Sequence, residues 1–191
     1  MRLLAKILRI GAMALGVVLA AVGTVWFGAR FADGPIAVFP GGPFTSGTHT
    51  EYGDVDWASL AHLRELEFQL VTPPRSRTAW FTVHNDAPYI HCSFCTNRTL
   101  KRWPRELERD NRIIVRIGGM RIPGRAVRVP DPSAEYLAVT RASRAKYDAS
   151  SGLRAAVERR AATAVIGAAA YAPGAEAEGE PDRWLFRVEP R

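Results

Sequence analysis

The chain has 191 residues, of which 47% are hydrophobic and 24% charged, a balance that excludes disordered, collagen-like and multi-span membrane classes. This length allows one domain of ordinary size and a short appendage. Lys and Arg number 26 against 19 Asp and Glu, and the formal net charge of +7 is typical of proteins that bind nucleic acid, anionic membranes or phosphorylated ligands. Two cysteines allow at most one disulfide, which excludes a disulfide scaffold.

The N-terminal segment places an uncharged apolar run after three basic residues: Arg2, Lys6 and Arg9 come first, and residues 10–27 follow. As a helix this run would be about 27 Å long, close to the thickness of a hydrocarbon core. The pattern predicts a membrane anchor over 1–29. A cleaved signal peptide is the alternative, and it is disfavoured because Phe27 and Arg30 occupy positions where a cleavage site needs small residues.

The charges around the anchor predict its orientation. The three basic residues precede the apolar run, and the first acidic residue is Asp33. The positive-inside rule then keeps the N-terminus in the cytoplasm. We therefore expect a single-pass membrane protein whose domain lies on the extracytoplasmic side, a location that argues against a nucleic-acid partner.

The segment after the anchor, 30–56, is dense in Gly, Pro, Thr and Asp. Without helix or strand periodicity, it is interpreted as a linker or as an extended arm lying on the domain. Phe39 and Phe44 are the side chains that could pack against the domain surface. The folded unit is expected to begin at Trp57 and to extend over 57–191.

Alternating apolar and polar residues predict six strands in the folded unit, over 65–71, 78–84, 89–94, 112–117, 120–129 and 184–188. Turn residues at 85–88 join the second and third strands into a hairpin. Helical sequence occupies 100–110 and, after a helix start at Asp131, continues to about residue 169 with a break at 148–152. The pattern predicts an α+β domain built on a small six-stranded β-barrel with helical insertions, preceded by one N-terminal transmembrane helix.

A basic stretch between the predicted hairpins, 96–105, combines hydroxyl groups, four basic side chains and an indole. Arginine binds phosphate oxygens in a bidentate manner, lysine supplies a point charge, and a helix N-terminus adds free N–H groups. Trp103 could cover a flat ring or the apolar part of a ligand. The alternative is a solvated, charged helix with Trp103 in the core, because most charge runs are simply surface.

Two cysteines in a C-x-x-C spacing, Cys92 and Cys95, follow His91. This spacing suits a structural disulfide, a redox pair or half of a metal site. The other histidines lack the paired spacing of a zinc site, and we assign no metal. An extracytoplasmic location favours oxidation, and a bridge over so short a loop would mainly shape the strand end.

Three segments resemble the split β-barrel flavin-binding superfamily of pyridoxamine 5'-phosphate oxidase and the deazaflavin-dependent nitroreductases. They are KRWPREL at 101–107, RDNR at 109–112 leading into the strand at 113–117, and GRAVRV at 124–129. The resemblance covers about 60–188, and the anchor resembles that of a membrane-anchored branch. It implies a split barrel, FMN or a deazaflavin as cofactor, oxidoreductase activity of the nitroreductase type, and a homodimer.

The resemblance also implies a cofactor site. Four basic residues would hold the phosphate: Arg98, Lys101, Arg102 and Arg105. Three residues would face the ring: Thr78, Trp80 and Thr96. Trp103 completes the predicted set, and the hydride chemistry would belong to the cofactor. Two alternatives remain open, a cofactor-free binding module with the same fold and a thiol-disulfide protein that uses Cys92 and Cys95.

The net charge is concentrated in one part of the chain. Residues 98–128 contain ten Lys and Arg against three Asp and Glu, and the remaining sixteen basic and sixteen acidic residues cancel. The protein is therefore neutral apart from one cationic segment, which includes all four basic residues that would hold a phosphate. Some of its arginines would lie on an outer face of strands, where lipid headgroups are an equally suitable partner.

Overall fold

The structure, a computed structural model, describes residues 2–93, 95, 102–148 and 183–191. The elements of these residues are, in chain order, α1 (Arg2–Ala29), β1 (Thr48–His49), a 3₁₀ turn (Tyr52–Asp54), β2 (Glu65–Leu70), β3 (Arg75–His84), β4 (Ala87–Ser93), α2 (Trp103–Arg109), β5 (Arg112–Ile117), β6 (Met120–Arg128), α3 (Ala134–Asp148) and β7 (Arg183–Pro190).

Six strands form a closed antiparallel barrel in the order β6-β5-β2-β3-β4-β7, and β7 pairs again with β6. The α+β class and the six-stranded barrel predicted from the sequence are thereby confirmed. A seventh strand, β1, is two residues long and pairs in parallel with β6 outside the closed ring. β1 was not predicted from the sequence, because a strand of two residues is too short to show alternation.

Closure of the barrel depends on one glycine in β6. Gly124 lies opposite Ile113 of β5 and Pro190 of β7, at the point where β6 passes from one neighbour to the other. A Cβ at this position would come within 2.9 Å of the carbonyl oxygen of Glu189. A glycine inside a strand is typical of such a close backbone approach. The sequence Pro123-Gly124 therefore bends β6 rather than ending it.

Strand alternation separates the barrel interior from its outer surface. In β5 the inward residues Ile113, Val115 and Ile117 are buried, whereas the residues between them are only partly covered. The interior is filled by aromatic and aliphatic side chains, among them Phe68, Phe81, Ile90, Ile122 and Phe186. The hydrophobic pattern alone accounts for this arrangement, since a period of two directs one side of each strand inward.

α2 lies over one end of the barrel and contributes two core residues, Trp103 and Leu107. The ring of Trp103 is 5% exposed and packs between Phe68 at 5.0 Å and Phe186 at 5.3 Å, measured between ring centroids. The sequence analysis gave this core position of Trp103 as the alternative to a position facing a ligand. Its indole is enclosed by other aromatic rings and offers no free face to a ligand.

The predicted boundaries differ from the observed ones mainly at strand starts. β3 begins at Arg75, three residues before the predicted position, because Arg75 to Arg77 continue the ladder with β2 directly after the turn. The helix predicted from Asp131 begins at Ala134, with Ser133 accepting the backbone N–H of Tyr136. Its predicted continuation to residue 169 lies outside the described residues, as do residues 100 and 101 of the predicted basic helix.

Residues 30–49 lie against the barrel. Gly41 and Ser76 exchange two backbone hydrogen bonds of 3.0 and 3.1 Å, and the backbone N–H of Phe44 donates to the Gln69 side chain at 2.6 Å. Phe44 is buried, with the guanidinium of Arg116 at 4.2 Å from its ring centroid. We refer to residues 30–49 as the arm. Its contacts join the end of α1 to β2, β3 and β5.

Within α1, the 21 residues Arg9–Ala29 are long and apolar enough to cross a membrane. The barrel does not cover the most apolar part of this helix. Burial in the core therefore does not explain its composition. The described part of the chain thus contains a candidate membrane span, followed directly by the arm and the barrel.

Candidate functional site: a cationic groove

An open groove of about 490 Å³ lies where α2 leads into β5, beside the end of β6. Its walls carry four arginines and two carboxylates, and its base is apolar. The lining residues are Leu107, Glu108, Arg109, Asp110, Asn111, Arg112, Arg125, Ala126, Val127, Arg128 and Phe186. We call this the cationic groove. All of its arginines belong to the cationic segment identified from the sequence.

Two of the four arginines are already engaged by protein groups. Arg112 donates two hydrogen bonds to the Asp110 carboxylate, at 2.8 and 2.7 Å, and this pairing holds the pKa of Asp110 well below its usual range. Arg128 lies 3.7 Å from the centroid of the Trp184 ring and 3.7 Å from a carboxylate oxygen of Glu108. These contacts orient the two side chains and pair each guanidinium with one carboxylate.

The other two arginines, Arg109 and Arg125, have no carboxylate within ion-pair distance in the part of the chain that the structure describes. Both are exposed. Arg125 lies directly opposite Arg112 on the ladder between β5 and β6. Like charges at directly opposed positions destabilise a sheet. An anion bound between them would relieve this repulsion.

Arg109 and Arg125 therefore present guanidinium groups that form no ion pair among the described residues. Guanidinium groups match the geometry of phosphate oxygens and donate several hydrogen bonds at once. The apolar base, with Ala126 and Phe186, suits the uncharged part of such a ligand. The cationic groove therefore combines guanidinium donors with apolar side chains.

The predicted cofactor residues that the structure describes, Thr78, Trp80, Arg102, Trp103 and Arg105, do not line one common groove. Thr96, Arg98 and Lys101 lie outside the described residues. Arg102 is exposed at the start of α2, and Arg105 is partly buried one turn later. Neither of them lines the cationic groove, which begins at Leu107 on the same helix.

The two predicted ring-facing residues of β3 lie elsewhere. Thr78 lines a second groove of about 530 Å³ beside the turn between β5 and β6. Because the cationic groove lies at the start of β5, the two grooves are separated by the length of a strand. Trp80 stacks on Tyr147 with ring centroids 5.2 Å apart, and its indole N–H donates to Glu65 at 3.2 Å.

The second groove is unsuited to phosphate. Its carboxylates are Glu65 and Glu67, and its cation is Arg116. The guanidinium of Arg116 is already paired with Glu67 at 2.5 Å and with Asp33 at 2.9 Å. An anion here would compete with two carboxylates, which is why we do not place the phosphate in this groove.

A partly buried polar cluster that the sequence did not indicate lies between α3, β3 and β4. Nε2 of His91 is 2.8 Å from the Thr82 hydroxyl, and burial, with smaller contributions from Lys146 and Arg183, lowers the pKa of His91 to about 4. Lys146 donates to the carbonyl of Phe81 at 2.8 Å, and burial lowers its pKa to about 8. These groups attach α3 to the barrel. Only their three-dimensional proximity identifies them, because they come from three separate elements.

Cys92 and Cys95 form a disulfide with an S–S distance of 1.98 Å. The two residues are 1% and 0% exposed and belong to the same buried cluster as Trp103. Thiol–disulfide exchange requires attack by an external thiolate on an accessible sulfur. The burial therefore favours a structural bridge over a redox pair. Among the described residues, no three His, Cys, Asp or Glu side chains are grouped to hold a metal ion.

We expect this disulfide to resist reduction while the protein is folded. Incubation with dithiothreitol under native conditions, followed by a maleimide reagent, should leave both cysteines unmodified, whereas the same treatment in urea should label both. Mass spectrometry of the intact chain measures the difference. Rapid labelling in the native state would contradict a structural role and support a thiol-disulfide function.

No family model matches the chain, and no curated protein matches it. A similar solved structure is that of a Listeria innocua protein described as "Putative Pyridoxamine 5'-phosphate oxidase". The two share 14% sequence identity, the match covers 71% of this chain and 90% of that chain, and the TM-score is 0.38. A closed six-stranded antiparallel barrel is what the resemblance to the split-barrel superfamily implies, and membership of that superfamily and of a membrane-anchored branch stays a prediction.

Proposed function

We propose that this chain is a membrane-anchored split-barrel protein that binds a phosphate-bearing flavin or deazaflavin. The proposal is supported chiefly by the cationic groove, where the exposed Arg109 and Arg125 flank an apolar base. In this proposal the two arginines hold the phosphate, and Arg112, oriented by Asp110, adds a third guanidinium beside it. Residues 96–101 would contribute from outside the described region.

When bound, such a cofactor would supply hydride transfer, the chemistry of a nitroreductase-type oxidoreductase. The protein would bind the cofactor, orient it and provide the electrostatic environment. The homodimer implied by the resemblance stays a prediction.

Retention of α1 as an anchor, rather than its removal as a signal peptide, is part of the proposal. Ala29 at the end of α1 is fully buried, and its carbonyl accepts a hydrogen bond from the backbone N–H of Gly42 at 3.1 Å. Cleavage near Ala29 or Ala32 would remove the helix end on which the arm folds. An extracytoplasmic barrel follows from the basic N-terminal flank by the positive-inside rule.

Phosphate recognition can be tested with FMN and riboflavin, which differ by the phosphate. We expect the full chain in detergent to bind FMN, measured by quenching of flavin fluorescence, and to bind riboflavin more weakly. Replacing Arg109 and Arg125 with alanine should weaken FMN binding by about tenfold or more per arginine, since a hydrogen bond to a charged group contributes about 1.5–3 kcal/mol. Riboflavin binding should change little.

The matched control is Arg144→Ala, which removes an exposed arginine of α3 that lies outside both grooves. This variant should bind FMN like the unaltered chain. If the unaltered chain binds neither FMN nor a phosphate-bearing deazaflavin, the cofactor-free binding module is favoured instead. If FMN binds equally well after both arginines are removed, the phosphate site is not in the cationic groove.

A further inference from the structure

The first part of the arm, residues 30–41, forms a loop that leaves the end of α1 and returns to it. Three backbone hydrogen bonds continue the helical turn, from Arg30, Phe31 and Ala32 to the residues three positions earlier. Ile36 and Phe39 then pair through two hydrogen bonds of 3.2 and 2.9 Å. The chain comes back at Gly42, whose N–H donates to the carbonyls of both Ala29 and Ala32. We call residues 30–41 the interfacial loop.

This loop exposes large apolar side chains that the fold does not use. Phe31 is 77% exposed, Val38 72% and Ile36 42%. Elsewhere in the described residues, beyond α1 and this loop, the exposed large hydrophobic residues are Trp80 and Leu137. An apolar cluster exposed in this way marks an interaction surface.

The apolar surface of the loop is continuous with that of the candidate membrane span. Trp26 and Phe27, in the last turn of α1, are also exposed, and the rings of Phe27 and Phe31 are in edge contact at 5.4 Å. The guanidinium of Arg30 lies 3.8 Å from the Trp26 ring centroid. Tryptophan and arginine together at the end of an apolar helix are typical of the headgroup region of a bilayer.

The loop is also attached firmly to the barrel. Gly41 pairs with Ser76 of β3, and the Ser76 hydroxyl donates to the carbonyl of Gly42 at 2.6 Å. Asp33, within the loop, accepts two hydrogen bonds from Arg116 of β5. A flexible linker would let the barrel move away from the anchor. These bonds instead keep the barrel at the end of the membrane span.

We infer that the interfacial loop seats the barrel on the membrane surface, with Phe31, Ile36 and Val38 inserted at the boundary between headgroups and acyl chains. The occupant of this apolar surface is the lipid of the bilayer that α1 spans. The inference rests on the proposed anchor but not on cofactor binding. It goes beyond anchoring because it assigns the barrel one fixed face toward the membrane.

A fluorophore at Val38 tests the inference on the full chain. Val38→Cys introduces an accessible thiol, since the natural cysteines are joined in a buried disulfide. The variant is labelled with an environment-sensitive nitrobenzoxadiazole dye and reconstituted into vesicles of phosphatidylcholine with a minority of phosphatidylglycerol. We expect a blue-shifted emission and strong quenching by lipids that carry a nitroxide near the headgroup.

Ala58→Cys provides the matched control, because Ala58 is exposed on a turn of the barrel outside the loop. Its label should show neither the blue shift nor the quenching. If the label at residue 38 behaves like that at residue 58 while the chain resists carbonate extraction, the loop does not contact lipid and the inference is wrong. If carbonate releases the chain from vesicles, the chain does not span the membrane, and the inference, which depends on that span, is also wrong. FMN binding, measured separately, is unaffected by either outcome.

Discussion

Replacing Arg116 with alanine is expected to release the arm from the barrel and to lower the free energy of unfolding by about 2–3 kcal/mol, the range for losing hydrogen bonds to charged groups. Arg116 is 15% exposed and joins Glu67 of β2 to Asp33 of the arm. One side chain thus connects three segments that are far apart in the sequence. Its removal also leaves two carboxylates without their counter-charge.

The electrostatic environment of Asp33 explains why we expect the removal of Arg116 to cause a large loss of stability, although Arg116 lies near the surface. The Ser46 hydroxyl and the backbone N–H groups of Thr45 and Ser46, together with Arg116, hold the pKa of Asp33 well below its usual range. Asp33 is therefore ionised at neutral pH when it pairs with Arg116. The planar guanidinium holds its donors in a fixed fork, with Nε bonded to Glu67 and Nη1 to Asp33, a geometry that the point charge of a lysine does not reproduce. Arg116→Lys should consequently restore only part of the lost stability.

Two measurements distinguish release of the arm from general unfolding. Urea denaturation of the detergent-solubilised chain, followed by tryptophan fluorescence, reports the stability. Limited digestion with chymotrypsin reports the arm, because Phe44 is 6% exposed and becomes cleavable only when the arm leaves the barrel. Arg144→Ala is the control and should match the unaltered chain in both assays. A variant at Arg116 that resists cleavage after Phe44 would show that the arm is held by other contacts.

Replacing Gly41 with alanine is the second change with a large expected effect, a loss of about 3 kcal/mol, at the upper end of the usual cost of overpacking. The backbone of Gly41 lies against the carbonyl of Gly34, and an added Cβ would collide with this group and with the nitrogen of Pro35. Both obstacles are main-chain atoms, which cannot move aside as a flexible side chain could. The pairing with Ser76 would have to open instead.

Gly53→Ala is the matched control, because nothing lies within 4 Å of a Cβ at this position. It should change stability by less than about 0.5 kcal/mol, as exposed substitutions usually do. Equal urea midpoints for the variants at Gly41 and Gly53 would contradict the tight approach of Gly41 to Gly34 and Pro35. Gly41 and Arg116 hold the same arm. The loss of unfolding free energy in the double variant should therefore be smaller than the sum of the losses in the two single variants.

Where elements are local, the sequence was sufficient to predict them. The strand over 112–117 and the hairpin after residue 78 follow from alternation and turn residues, because a strand with one buried side must repeat every two residues. The helix of α2 was also predicted. The direction of Trp103 was not, since a helix of two turns with basic residues on several sides has no clear apolar face. Its core position is decided by Phe68 and Phe186, which come from distant strands.

The cationic groove also shows the difference between what the local sequence predicts and what long-range pairing decides. The sequence showed that the net charge of +7 lies within residues 98–128. The sequence analysis predicted a phosphate site from residues that lie close together along the chain. A single sequence shows directly only which residues are neighbours along the chain. Among the described residues, the structure groups Arg109 and Arg112 with Arg125 and Arg128, which are brought together by the ladder between β5 and β6. Strand register, which depends on long-range pairing, selects this set.

The sequence by itself determined the apolar N-terminal helix, the α+β class, the strands of the barrel and the location of the positive charge. These features depend on composition and on short-range periodicity, which each segment carries within itself. The tertiary structure alone decided that the glycine- and proline-rich arm belongs to the barrel, that the disulfide is buried, and which arginines of the described residues line the cationic groove. These features depend on hydrogen bonds and packing between residues such as Asp33 and Arg116, which lie 83 positions apart.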